Sequence, residues 1–351
     1  QRHNFMDIIL LTICAVVSGA DGWEAIEEFG HAKRDWLKKY GRFDHGLPSH
    51  DCIARVISRL SPKGFQTCFR QWTQAVADAT GGEIIAVDGK CARGSRDRQR
   101  DRAALHMVSA WACTNRLVLG QEATAEKSNE ITAIPKLLAL LELKGCIVTL
   151  DAMGCQQAIA TQIHQQGGDY VLGLKGNQST LQESVVDFFT VARAGQFAGV
   201  AHAYHEELDK DHGRLEVRRY WISEELGTLP DHRLWAGLRS IGLVERQCTQ
   251  ASGTCVERRY FLTSLPAHAT TFAAAVRGHW GVENRLHWRL DVIFNEDASR
   301  IRTGNAPAIM TSIRHLALNL FEREPTKLRL AQKRRKAAWD DDYRAKILFG
   351  A

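Results

Sequence analysis

Three carboxylates stand where metal-dependent chemistry can be built. Asp88 closes a short apolar run, Ile84-Ile85-Ala86-Val87, and Asp151 closes another, Ile147 to Leu150. Each run reads as a buried strand, so each Asp sits at a strand end. Taken singly, an Asp after an apolar strand is an ordinary turn former that accepts backbone N–H bonds. Two carboxylates on one sheet rim differ, because they repel and need a divalent cation to stay ionised together. Glu283 falls within the apolar stripe Phe272, Val276, Trp280, Leu286, Leu290 and Ile293 of a helix. An ionised glutamate facing a core costs on the order of 5 kcal/mol unless a cation or donors compensate. It reads either as a metal ligand or as the structural partner of a buried Arg or His, with His279 and His287 on neighbouring turns.

The elements that must position these residues follow from the pattern around them. The first eighty residues read as helical. Ser49 is placed to cap a helix carrying Ile53, Val56, Ile57 and Leu60, Ser61-Pro62-Lys63-Gly64 breaks it, and Phe65, Cys68, Phe69 and Trp72 resume the period. Such a pair is either a DNA-reading helix pair or a helical cap on the next domain, and helical hairpins are common packing units. After the strand ending at Asp88 come a basic loop (Arg93, Arg96, Arg98, Arg100, Arg102) and two β-prone runs, His106 to Thr114 and Leu117 to Glu122, with Asn115-Arg116 as their turn. A helix from about Asn129 to Leu143, the strand ending at Asp151, a helix from Gln156 to Gln166 and a strand at Tyr170 to Leu174 follow. Three strands, helix, strand, helix, strand is the order of a ribonuclease-H-like α/β sheet, in which the Asp88 and Asp151 strands are neighbours.

The remainder divides by the same signals. Leu215 to Ile222, Ala236 to Arg246 and Arg258 to Leu265 are β-prone, and helix returns over Thr271 to Phe294 and Ala306 to Arg323. The expected organisation is a helical N-terminal region, with DNA binding as one role for it (1–80), the first part of a catalytic core (81–180), a β-rich insertion (181–267), the final core helices (268–325) and a basic-then-acidic tail (326–351).

A formal charge of +6 suits a polyanionic partner without demanding one. Nine scattered cysteines, with no Cys-x-x-Cys pair, read as free thiols and point to a cytoplasmic protein without zinc. Ile8 to Ala20 has the outline of a secretory signal, but Asp7 directly ahead of it favours a buried helix, and it is short of the ~20 residues that span a bilayer. No membrane partner is expected.

The run His279-Trp280-Gly281-Val282-Glu283-Asn284-Arg285-Leu286-His287-Trp288-Arg289-Leu290-Asp291, with Glu296-Asp297 and Arg300 beyond, resembles the third catalytic segment of bacterial insertion-sequence DDE transposases, nearest the H-repeat-associated branch. Val87-Asp88-Gly89-Lys90, Leu150 to Gln156, Tyr170 to Gln178, His212-Gly213-Arg214-Leu215-Glu216 and His45 to Asp51 carry the same resemblance. It implies a ribonuclease-H-like catalytic core interrupted by a β-rich insertion, with Asp88, Asp151 and Glu283 as catalytic and metal-binding residues. Two magnesium or manganese ions are the implied cofactors, because hard oxygen ligands favour them over zinc. The implied activity is cleavage and joining of DNA strands at element ends. The partners are then the element's inverted repeats, target DNA and, in the DNA complex, a second copy of the chain.

One departure stands out. Related transposases often carry Tyr and Arg ahead of the glutamate and Lys after it, where Val276, His279 and Leu290 stand here. Phosphate contacts are therefore expected from Lys90, Arg93, Lys175, Arg214 and His279, although a solvated face is the ordinary role of any one basic residue. Two alternatives remain: a metal-dependent nuclease of the same fold that does not join strands, and a domesticated DNA-binding protein without catalysis.

Overall fold

A computed structural model describes residues 3–76, 82–124, 130–211, 214–250 and 253–350. Asn129, where the sequence pattern opens a helix, and His212-Gly213 of the quoted motif lie outside the described residues. Helix α1 (Phe5–Val17) starts where the Asn4 side chain accepts the Met6 N–H at 2.8 Å. Its apolar run is interior, with Ile8, Leu11, Cys14 and Val17 fully buried. Asp7 is buried too, and its carboxylate accepts the Arg42 and Phe43 N–H groups at 3.0 and 2.7 Å. Those bonds tie α1 to the loop that follows α2 (Trp23–Ala32) and α3 (Arg34–Leu37). Ser49 caps α4 (His50–Ile57) through the Cys52 N–H. The Ser61-Pro62 break is also a start: Ser61 Oγ accepts the Gly64 N–H at 3.2 Å, and Pro62 is the first residue of α5 (Pro62–Val76).

Among the described residues one nine-stranded mixed sheet forms the centre, in the order β3-β2-β1-β4-β5-β9-β8-β7-β6. Strand β1 (Ile84–Ala92) runs beyond the expected end at Asp88, because Gly89 to Ala92 continue to pair with β2 (Leu105–Ala112). β2 turns into β3 (Leu117–Ala123) through Arg116, at φ 55°. After α6 (Glu130–Leu138), β4 (Ile147–Leu150) lies parallel to β1, and after α7 (Gln157–Gln165), β5 (Asp169–Leu174) lies parallel to β4. Both parallel strands are covered on both faces, which is why they read as unbroken apolar runs.

Helix α8 (Ser179–Ala194) leads to four antiparallel strands: β6 (Ala203–Asp211), β7 (Arg214–Ser223), β8 (Ser240–Gln250) and β9 (Gly253–Thr263). They do not form a separate sheet. β9 pairs with β5, Val171 opposite Thr263 and Leu174 opposite Tyr260, so the four strands extend the same sheet.

The helix expected over Thr271 to Phe294 is α9 (Ala269–Gly281), a π-helical turn (Val282–His287) and α10 (Trp288–Val292). Helix α11 (Ala306–Arg323) follows. The expected charged tail is instead two packed helices, α12 (Leu330–Trp339) and α13 (Asp341–Phe349). There Arg344 is fully buried, its guanidinium 4.0 Å from the Trp36 ring, and Lys333 donates to the Phe321 carbonyl at 2.9 Å. No helix among the described residues is long and apolar enough to cross a membrane.

Candidate active site

The β1–β4 register sets the geometry. Ala86 stands opposite Thr149 and Val87 opposite Leu150, the last pair of the ladder, so Asp88 and Asp151 come next along the two neighbouring chains. Strand alternation puts Asp88 on the face of Ala86, whose side chain packs into the core that also holds Val282 and Leu286. Asp151 is oriented by its own turn: Oδ1 accepts the Met153 and Gly154 N–H groups at 2.9 and 3.2 Å. That is the turn-former role, and it leaves the second carboxylate oxygen for other partners.

Glu283 faces these two across a cleft of about 310 Å³ lined by Asp88, Asp151, Lys175, Arg259, His279 and Trp280 among others. Its position corrects the stripe read from the sequence. A π turn carries an extra residue and shifts the helical phase, so the buried positions become Val282, Leu286 and Leu290, while Glu283 is exposed to the cleft. The cost of burying it therefore does not arise. Neither histidine is its partner: His279 Nδ1 lies 3.1 Å from Thr149 Oγ1, and His287 Nδ1 lies 3.6 Å from Asp88 Oδ2. Gly278 lets α9 come this close to β1, since a Cβ there would meet Ile84 Cγ2 at 2.9 Å and Cys113 Sγ at 3.3 Å.

The electrostatics are those of crowded acids. Burial, with the carboxylates of Glu130, Asp151 and Glu283, pushes the Asp88 carboxyl up to about 7, against a Gly89 backbone bond that lowers it. Burial pushes the His279 imidazole down to about 4 and His287 to about 3, so both rings are neutral at pH 7. Glu130 was not singled out from the sequence. It bonds His106 at 2.8 Å on the Gly89 side of β1, where a Cβ on Gly89 would meet its Oε1 at 2.3 Å. The donor chemistry suits a hard divalent cation: acidic oxygens on neighbouring strands, one of them raised to about 7 by burial and by the other acids for want of positive charge. As the side chains lie, no group of three acidic, His or Cys residues among the described residues closes around one ion.

The basic residues divide. Lys175 is exposed and lines the cleft. Lys90 does not face solvent; its ammonium is ion-paired with Asp291, Glu296 and Asp297 at 2.7, 3.2 and 3.2 Å, which removes it from the phosphate contacts expected above. Arg93 is exposed but bound to Asp297 at 3.5 Å, and Arg214, 3.3 Å from Glu216 at the start of β7, lies outside the residues lining the cleft. Neutral His279 anchors α9 to β4 and offers no cation to a phosphate. Arg258 and Arg259 of β9 do line the cleft, and Arg259 lies 5.2 Å from the Trp280 ring. Their signal was present as two consecutive arginines in a β-prone run, but nothing in the local pattern brought that strand to the site. Met153, two residues beyond Asp151, lines a second cleft of about 880 Å³ together with Arg96, Arg98 and Arg102 of the basic loop.

Residues 79–320 match the family described as Transposase DDE domain, and residues 1–73 match its companion family, DDE_Tnp_1-associated. The chain belongs to the DDE transposase family. The match spans Asp88, Asp151 and Glu283. Among curated relatives, the "H repeat-associated putative transposase YhhI" of Escherichia coli K12 is 44% identical over all of this chain and 93% of that protein. The "Putative transposase YncI" of Escherichia coli O157:H7 is 44% identical over 99% of this chain and 90% of that protein. A shorter relative in E. coli K12, named "Inactive transposase YbfQ", is 61% identical over 16% of this chain and 68% of its own length.

Proposed function

We propose that this DDE transposase family member cleaves DNA strands at element ends and joins the freed ends to a target, on a ribonuclease-H-like core interrupted by the β6–β9 insertion. The observation that carries the reading is that Asp88 and Asp151 directly follow the last paired residues of neighbouring parallel strands, with Glu283 across the cleft. In this reading Asp88, Asp151 and Glu283 hold two magnesium or manganese ions. Bound there, the cations supply activation of a water or 3′-hydroxyl and neutralisation of the leaving oxygen.

The chain's own residues do the rest. Asp151 is fixed by the Met153 and Gly154 N–H groups, so it presents one oxygen without reorganising. Exposed Glu283 supplies a carboxylate on a side chain that can turn toward Asp88 and Asp151. Lys175 and Arg259 neutralise the phosphates flanking the scissile bond, in place of the Arg and Lys that the commoner motif would provide, while Arg258 is held by Glu245 at 2.8 Å. The Arg96 to Arg102 loop tracks the next stretch of backbone along the larger cleft.

The test uses labelled duplex DNA from the two flanks of the gene, incubated with the full chain and magnesium. Joined product supports the proposal. Cleavage without joining converts the reading to a nuclease, and bound but uncut DNA to a non-catalytic DNA-binding protein.

A further inference from the structure

Lys90 lies two residues beyond Asp88 on β1, on the same face of the strand by alternation. Asp291 lies eight residues beyond Glu283, two turns further along the same helical unit. The 2.7 Å Lys90–Asp291 pair therefore spans the gap between β1 and this unit one step along from the gap between Asp88 and Glu283. Glu296 and Asp297 join the same ammonium at 3.2 Å each. An ammonium has three donors, and here three carboxylates surround it.

The far side of the clamp is fixed as firmly. Glu296 is 2% exposed, and its other oxygen accepts Thr311 Oγ1 at 3.0 Å and Arg314 Nη1 at 3.3 Å from α11. Just past β1, a Cβ on Gly94 would stand 2.4 Å from the Ser299 carbonyl oxygen, so the two backbones lie flush. Without the ammonium, Asp291, Glu296 and Asp297 would crowd one another at the foot of the unit that carries Glu283, and would push it from β1.

We propose that Lys90 is a positioning residue: it holds the Asp88 strand and the Glu283 helix at the separation in which their carboxylates act on one cation pair. This rests on the metal-binding reading above, and the test separates the two. Mn²⁺ binding to the purified full chain is measured from the EPR signal of free Mn²⁺, for wild type and for Lys90→Met, Lys90→Arg, Asp291→Asn and Asp88→Asn. Folding is followed by circular dichroism in chelator. The expected result is loss of binding in Asp88→Asn and a fall in affinity of about ten- to hundredfold in folded Lys90→Met, the range typical of groups that orient metal ligands. Lys90→Arg recovers part of it. A strut that serves only stability would lower the melting temperature of Lys90→Met and leave the affinity of the folded fraction untouched. Affinities within about twofold of wild type in Lys90→Met and Asp291→Asn, with Asp88→Asn defective, overturn the proposal alone. Should Lys90→Met fail to fold, Asp291→Asn, at a half-exposed carboxylate, decides by the same criterion. Wild-type affinity in Asp88→Asn overturns the metal site itself, and this inference with it.

Discussion

At Asp88 a proton and a cation compete for one oxygen pair. The folded, metal-free carboxyl titrates at about 7, above its ordinary 3.8, because burial and neighbouring acids disfavour the charge. A carboxyl raised on folding contributes stability that is fully present below the unfolded value and is lost as pH rises through the folded one. In chelator, wild type should therefore lose stability relative to Asp88→Asn between about pH 4 and pH 7. Magnesium reverses the trend, since it binds the ionised form, and its gain in melting temperature should grow over the same window. Thermal melts of both proteins across that range, with chelator and with magnesium, check this; parallel curves would contradict it. Glu283 behaves differently. As an exposed side chain it should tolerate Glu283→Gln with a melting temperature within about 2 °C of wild type in chelator. The same melts in magnesium should show the cation's gain reduced, whereas a structural ion pair would lower the chelator melt.

At the scale of elements, the site depends on how closely α9 lies on β1. Gly278→Ala places a methyl 2.9 Å from Ile84 Cγ2, and overpacking of this kind should cost about 1–3 kcal/mol, read from urea unfolding. The positions of the two Asp residues were legible in the sequence because strands covered on both faces must be unbroken apolar runs; such runs stop at Asp88 and Asp151, although β1 itself continues to Ala92. The phase of the Glu283 helix was not. A helical wheel assumes a constant turn, and the π segment from Val282 to His287 breaks that assumption at the residue that matters. Strand β6 was missed for another reason. It is a sheet edge carrying His205, Glu206, Glu207, Asp209 and Lys210, and it lacks the apolar alternation that marks a strand. Lys90 looked like a phosphate contact because its three acidic partners are two hundred residues away in the chain.

Over the whole molecule, the charged C-terminal segment proves to be part of the core. Arg344 lies over Trp36, and Arg334 reaches Asp21 at 2.8 Å and lies 4.7 Å from the Phe294 ring. Arg344→Ala should cost about 2–3 kcal/mol in urea unfolding, from lost packing and lost bonds to Ala337 and Asp341. A solvated tail predicts no change. The same core joins the first helices to the Glu283 segment, so the companion region at residues 1–73 and the transposase domain fold as neighbours in one cluster. In the proposed function Asp88, Asp151 and Glu283 act together on DNA. The most direct test is magnesium-dependent cleavage of labelled flanking DNA by Asp88→Asn, Asp151→Asn and Glu283→Gln, with DNA binding measured in parallel. Each variant should lose about a thousandfold or more in cleavage while binding DNA as wild type does, as expected of residues that work as a unit. Cleavage near the wild-type rate by any one of them would contradict it.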